Sequence, residues 1–508
     1  MAATVGAALH WWARTKGDQV AVIVGDDRLT YRQLHDWTGR LARWMAAAGI
    51  GPGDRVGLLS PNTLWWPVAA LAVMKAGAVL VPMNARLKPA EVRKVADDAR
   101  VRAVIAAAEL VGAVEDAGGR DGSFTVFDSG AVTVLRDGDA EDFRIDRAAD
   151  EPISVIFTSG STGLSKGVIL TSQTLMGIVL ENTLTEEGFR PGTVTLLALP
   201  LAFTPGLVYG LLITTVLGGT LIAEPDFNPS RAVRLIEEYS VRALFGVPLI
   251  FEAISRAAEF DQADLAALQT AIVGGAAVPT DLLARWAAKG VLLRQIYGMT
   301  EAGGVATATL KSEALEHPGS CGTGSIFTEV RVMAEDGSLL GPGQPGELVV
   351  RGPGVTPGYW DDPASTAVAF RDGWLHSGDL GVSDDRGRIT FVDRMKDLII
   401  SGGINVSPVE LENTIAALPG VEEVAVIPAP DPRFGETPAA IVKLVDGAAG
   451  LDEAAIVAHC ETMLADYKVP RYVVLRAEPL PRLPSGKLAK ATIRDEYRDL
   501  TVRFTRAR

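Results

Sequence analysis

The sequence predicts a layered α/β protein in which a large N-terminal domain of α/β sheets carries a small β-rich module and is followed by a small α+β C-terminal domain. Three observations predict it. Short β-branched runs alternate with helical patterns over roughly the first three-fifths of the chain. From about Val330 closely spaced strands with turns replace that alternation, and after "DRMKDLIISGG" the alternation resumes. Strands separated by helices need crossover connections, so the sheets should be largely parallel.

In chain order, "DRVGLLS" reads as a strand and "LWWPVAALAVMKAG" as an amphipathic helix. "AVLVPMN" (strand), "PAEVRKVADDA" (helix) and "VRAVIAA" (strand) follow. Further strands are "ISVIFTSG", "VTLLALP", "RALFGVP", "TAIVGGA" and "LRQIYGMT". Pro191 to Ala223 has no charged side chain and is long enough to raise a membrane span. Pro200, Pro205, Gly206, Gly210, Gly218 and Gly219 interrupt it, so it reads as strand, loop, buried helix ("GLVYGLLITTVL") and strand, all core. The β-rich module is "EVRVMAEDG", "GELVVRG" and "RGRITFVDR". The last domain holds "VEEVAVIPA", "AAIVKLV" and "RYVVLRAEPLP". Residues 109–150 are poorly patterned and read as variable surface. There is no internal repeat and no low-complexity tract.

At 508 residues the chain is too long for one ordinary core. It is 48% hydrophobic and 22% charged, a globular balance, and its net charge of −14 argues against coating nucleic acid. Local donors could still hold an anionic ligand. Cys321 and Cys460 are too few for a disulfide framework and lack metal-ligand spacing. The N-terminal "MAATVGAALHWWARTKGD" lacks a signal-peptide pattern, and no transmembrane segment is expected. A reduced, cytoplasmic protein is the expectation; its oligomeric state is not readable.

The stretch Thr158 to Val168, "TSGSTGLSKGV", follows a strand and combines glycines, hydroxyls and one lysine. Such a loop turns backbone N–H groups toward one point and adds a full positive charge, which suits a polyphosphate. It is not a Walker A loop, because Leu164 and Ser165 separate Gly163 from Lys166. Gly163 to Gly167 also satisfies G-x-S-x-G, the nucleophile elbow of hydrolases, with Ser165 as nucleophile and five histidines as candidate bases. A plain glycine turn would leave the hydroxyls and lysine without a purpose.

Together with "GGAAVP" (Gly274 to Pro279), "YGMTEAG" (Tyr297 to Gly303), "GWLHSGDLG" (Gly373 to Gly381), "DRMKDLIISGGINVSPVE" (Asp393 to Glu410) and "LPRLPSGKL" (Leu480 to Leu488), this loop closely resembles the adenylate-forming superfamily of acyl- and aryl-CoA synthetases. The resemblance implies an AMP-binding domain over 1–395 and a mobile C-terminal domain over 396–508. It also implies a reaction in which ATP activates a carboxylic acid, fatty or aromatic, as acyl-adenylate before coenzyme A takes the acyl group. Thr158, Ser159, Gly160, Ser161, Thr162, Gly163 and Lys166 would then wrap the phosphates that leave as pyrophosphate. Thr300 would bond phosphate, and Glu301, with Thr158, would hold Mg²⁺, a hard cation suited to oxygen ligands. Tyr297 would offer adenine an aromatic face, the Gly275, Ala276 and Ala277 backbone the other side, and Gly298 and Met299 would complete the nucleotide stretch. Asp379 would accept from the ribose hydroxyls, with Arg394 adding donors. Trp374 and His376 would support the loop around Asp379. Lys487 is the leading catalytic residue, bridging carboxylate and α-phosphate as charge develops. Lys396 would be the hinge, and Gly402 and Gly403 would let a pantetheine arm pass close to the backbone.

Two departures from the family pattern matter. Ser165 stands where relatives often carry proline, and Phe203, in "PLAFTPG", stands at a usual histidine position beside the carboxylate pocket, which favours an apolar or aromatic acyl group. Gly303, Gly304 and Ala306 suggest a roomy acyl pocket. Other acceptors remain open: the thiol of an acyl carrier protein, or an amine, with an unusual oxyacid such as nitrite as another activated group. A serine hydrolase using Ser165 is the distant alternative.

Overall fold

The computed structural model describes residues 3–158, 166–401, 404–445, 448, 451–483 and 487–508. The chain folds as two compact units. One comprises Met1–Arg331, Val349–His376 and Gly387–Ile389, the other Val332–Leu348, Ser377–Arg386 and Thr390–Arg508.

The first unit is built on two sheets. An eight-stranded sheet runs Thr307–Ala308, Leu293–Tyr297, Thr270–Gly274, Ala243–Gly246, Val194–Leu197, Thr220–Ala223, Val20–Val24, Asp27–Thr30. Its inner pairs are parallel and its two edge pairs antiparallel. A six-stranded sheet runs Thr125–Asp128, Ala103–Ala106, Arg55–Leu59, Val79–Met83, Pro152–Thr158, Lys166–Thr171. It is parallel except for its last pair, an antiparallel hairpin in which Thr158 faces Lys166. The parallel sheets expected from the alternating pattern are therefore present, closed off by antiparallel edges.

Helices α1 (Val5–Thr15), α2 (Tyr31–Ala47) and α3 (Trp65–Lys75) pack beside these sheets. Thr30 starts α2 through a capping box: its hydroxyl accepts from Gln33 N, and Gln33 Oε1 accepts from Thr30 N. The segment read as an amphipathic helix, α3, is instead buried nearly all round, down to Lys75, which is 2% exposed. It packs against α1, α2 and the strands Arg55–Leu59 and Val79–Met83, leaving no polar face. The apolar stretch read as core is core: Pro205–Leu212 forms a π-helical segment continuing into the α-helix Ile213–Val216. No described helix is long and apolar enough to cross a membrane. Residues 109–150, read as variable surface, instead supply the edge strand Thr125–Asp128 and bury Val114, Phe124 and Val132.

Residues 329–394 form a five-stranded sheet from Glu329–Met333, Gly346–Arg351, Trp374–Ser383, Phe370–Arg371 and Ile389–Arg394. The "GWLHSGDLG" segment, read as a loop, is the long strand of this sheet. The second unit has its own sheet, Ile404–Val406, Ile399–Ser401, Gly435–Leu444 and Val421–Asp431, with Tyr472–Arg476 alongside Gly435–Leu444. Helices Pro408–Ala416, Glu453–Met463 and Lys490–Glu496 complete it.

Candidate active site

In the first unit the candidate residues converge through one aromatic ring. Tyr359 donates its hydroxyl to Glu301 Oε1 at 3.0 Å, and Lys166 Nζ lies 4.8 Å from the centre of the same ring. Burial, then the charge of Glu301, holds the Tyr359 hydroxyl well above the ordinary tyrosine range, so it stays a donor. Glu301 is 8% exposed, and its backbone carbonyl accepts from Thr356 N at 2.9 Å. Thr300 shares a hydrogen bond of 2.8 Å with the Thr204 hydroxyl. The result is a carboxylate, two hydroxyls and an ammonium held on one framework. Hard oxygen donors of this kind fit a Mg²⁺ ion. Phe203 is half-buried and adjoins Thr204.

The short turn Thr300–Ala302 that carries these groups ends at Gly303, whose φ is +77°, followed by Gly304 at +106°. A Cβ at Gly303 would meet Gly354 O at 2.7 Å, and one at Gly304 would meet Tyr209 Cε2 at 2.6 Å. These glycines serve backbone conformation and close packing, which replaces the roomy pocket as the reason for their size. Ala306 is likewise buried, at 2% exposure. Tyr209, from the π-helical segment, donates to Gly303 O at 3.2 Å and accepts from Val305 N at 3.1 Å. The apolar helix thus fixes the turn.

Tyr297 ends the strand Leu293–Tyr297 and is 7% exposed, whereas Gly298 is exposed and Met299 half-buried. Gly275, Ala276 and Ala277 follow the strand Thr270–Gly274 as an exposed segment. Thr158 and Lys166 are the paired ends of the hairpin. Ser159, Gly160, Ser161, Thr162 and Gly163 of the phosphate loop, and Ser165, lie outside the described residues, as do Gly402 and Gly403. Ser165 is followed by the strand Lys166–Thr171, whereas a nucleophile elbow leads into a helix. The elbow reading fails on that context.

In the second unit Arg394 Nε lies 3.5 Å from Asp379 Oδ1, and Asp379 is 6% exposed. Lys487 acts on the same pair electrostatically. Burial of its ammonium, then the positive charge of Arg394, lowers its pKa, and Asp379 opposes them, although the residue as a whole stays accessible. Leu483 N donates to Lys487 O at 2.7 Å. Asp393, which the sequence reading left without a role, is 2% exposed and accepts from Arg394 N (2.7 Å), Ser407 Oγ (2.6 Å) and Val409 N (3.0 Å). It ties Arg394 to the start of the helix Pro408–Ala416. Lys396 sits in the turn Met395–Asp397 that follows.

Trp374 and His376 are held inside the first unit. Arg351 lies 4.4 Å over the Trp374 ring, and Arg371 donates to His376 Nδ1 at 3.0 Å. Tyr359, Thr204, Tyr209 and Asp393 are the functional supports that sequence reasoning missed. Thr204 and Asp393 stood inside quoted motifs. Tyr359, at a separation of 58 residues from Glu301, gave no local signal.

The two layered α/β sheets of the first unit and the separate sheet of the second are the fold of an adenylate-forming enzyme. The chain belongs to the AMP-binding enzyme family: the family model matches residues 9–360, and that of the AMP-binding enzyme C-terminal domain matches 410–487. It is 38% identical over 495 residues to a feruloyl-CoA synthase of Amycolatopsis, covering 96% of this chain and 97% of that one. It is 36% identical over 478 residues to a long-chain-fatty-acid–CoA ligase of Mycobacterium tuberculosis, covering 93% and 94%. The ATP-bound structure of MatB from Rhodopseudomonas palustris superposes with a TM-score of 0.88 at 31% identity, covering 98% of this chain and 100% of that one. The chain is accordingly an AMP-forming acid–CoA ligase: it activates a carboxylic acid as acyl-adenylate and passes the acyl group to coenzyme A.

Proposed function

We propose that the acid is apolar, fatty or aryl, and that Mg²⁺ assists its activation. The observation that carries the substrate reading is Phe203, half-buried and one residue from the Thr204–Thr300 hydroxyl pair. An aromatic ring there offers apolar surface and no charge to a polar acid. The similarity to a feruloyl-CoA synthase and to a long-chain fatty-acid ligase supports the same class.

In the adenylation step a carboxylate oxygen attacks the α-phosphorus and pyrophosphate leaves. Thr158 and Lys166, fixed as paired hairpin ends, bracket the loop that holds the leaving phosphates. Thr300 donates to phosphate. Glu301 and Thr158 would hold the Mg²⁺, which neutralises phosphate charge when bound. Asp379 and Arg394 bind the ribose. Lys487 brings its ammonium to the oxygens on which charge accumulates, a placement that lowers the barrier because the donor needs no reorganisation. We assign residues 396–508 to the part that reorients about Lys396 for thioester formation, with Gly402 and Gly403 facing the pantetheine arm.

Mass spectrometry of reactions with ATP and Mg²⁺ across fatty, cinnamic, benzoic and short polar acids, each with and without coenzyme A, tests this reading. Acyl-CoA from the apolar acids is expected. Product from the polar acids alone would overturn the substrate class.

A further inference from the structure

Outside the candidate active site, three side chains from distant parts of the sequence meet at one point. His10 lies on α1, His35 on α2, and Asp142 in the segment beyond residue 140. His10 Nδ1 is 3.3 Å from His35 Nε2 and 3.2 Å from Asp142 Oδ1, and His35 Nε2 is 3.3 Å from that same oxygen. The three atoms form a nearly equilateral triangle. Ligand atoms about 2.0–2.1 Å from a tetrahedral Zn²⁺ are separated by about 3.3–3.4 Å, so the triangle has the size of one face of such a site.

The tautomer of His35 fits. Its Nδ1 is 3.1 Å from Asp36 Oδ1, a carboxylate that only accepts, so a proton held on Nδ1 frees the Nε2 lone pair for a metal in the triangle. A carboxylate behind a histidine is the usual support for a metal-bound imidazole. His35 is 6% exposed, while Asp142 has 59% of its side chain accessible, which leaves a solvent-facing fourth position. A single proton on His10 Nδ1 can point to His35 or to Asp142, whereas a dication engages all three lone pairs. The nearby cation Lys75 is engaged by other acceptors, donating to His35 O at 3.3 Å and to Thr38 Oγ1 at 3.4 Å.

We propose that His10, His35 and Asp142 bind one divalent first-row transition ion of the zinc type, with water in the fourth position. The ion ties α1 and the segment around Asp142 to α2. Two imidazoles and one carboxylate select such an ion over Mg²⁺, which prefers all-oxygen sites.

The test is calorimetric titration of the full chain, stripped with a chelator, with ZnCl₂ in excess Mg²⁺, alongside visible absorption with CoCl₂. Wild type should bind one Zn²⁺ per chain, give tetrahedral Co²⁺ bands and gain melting temperature with Zn²⁺. Asp36→Asn, which removes the carboxylate behind His35 and leaves all three ligands in place, should weaken binding about 10- to 100-fold. His10→Ala should abolish the stoichiometric site and the melting shift. No uptake by wild type would overturn the proposal. So would unchanged affinity in both variants, which would put the ion elsewhere. If His10→Ala does not fold, the Asp36→Asn affinity and the Co²⁺ spectrum decide.

Discussion

The two units hold their functional side chains in different ways. In the first, Glu301, Thr300 and Lys166 rest on aromatic and hydroxyl groups: the ring and hydroxyl of Tyr359, the hydroxyl of Thr204 and, beneath the turn, Tyr209. In the second, Asp379, Arg394 and Lys487 act on one another as charges, and Lys487 and Arg394 are exposed. A neutral framework keeps its geometry whatever the local potential. A charge constellation answers to pH and to the anion it meets. The first unit therefore suits a passive cradle, and the second suits a group that must respond as negative charge develops.

Substitutions in the two units should separate the two arrangements. The largest effect should fall on stability in the first unit, at the buried ion pair of Arg294 with Glu186. Arg294→Met leaves Glu186 buried and uncompensated and should cost about 3–5 kcal/mol in denaturant unfolding. A loss under 1 kcal/mol would show that the first unit does not depend on it. Lys487→Ala should instead not lower the melting temperature, and should slow adenylate formation on the order of a hundredfold or more, read by pyrophosphate release. Undiminished adenylation would remove Lys487 from the mechanism. Tyr359→Phe should have a smaller effect, removing a donor from the buried Glu301 at about 1–3 kcal/mol, shared between stability and rate. An effect on neither would mean that the hydroxyl is redundant.

The smallest expected effect is a shift in pH dependence. The Lys487 ammonium has a pKa below the ordinary 10.5, so its charge is lost earlier as pH rises. Adenylation should decline on the alkaline side below the normal lysine range, and Lys487→Arg should move the decline upward. The stability linkage has the opposite sense. The folded state disfavours this charge, so the penalty is fully present below the folded pKa and disappears as pH climbs to the unfolded value. A rate profile identical in Lys487→Arg would assign the decline to another group.

How much was legible beforehand follows the same division. The parallel strands were readable because buried β-branched runs bounded by glycine and proline have few other uses. Asp379, Arg394 and Lys487 stand in recognisable motifs, but that they act on one another was not readable from those motifs. What stayed hidden depended on contacts across the fold. Tyr359 reaches Glu301 from far along the chain, and burial of α3 on every side follows from neighbours that its own periodicity cannot reveal. Strand Trp374–Ser383 looked like a loop because glycine and polar residues fill it, and only its partners make it a strand. Gly303 and Gly304 were legible as small but not as positive-φ residues packed on Ile178 and Tyr209.

The hairpin that closes the six-stranded sheet has an evolutionary consequence. Thr158 pairs with Lys166, Phe157 with Gly167 and Ile156 with Val168, so the arms are joined by their own ladder. The connection between them can change length or composition at a cost that grows only logarithmically, without shifting the register of any other strand. Arms anchored in this way let the connection between them be exchanged while the scaffold beneath is inherited intact.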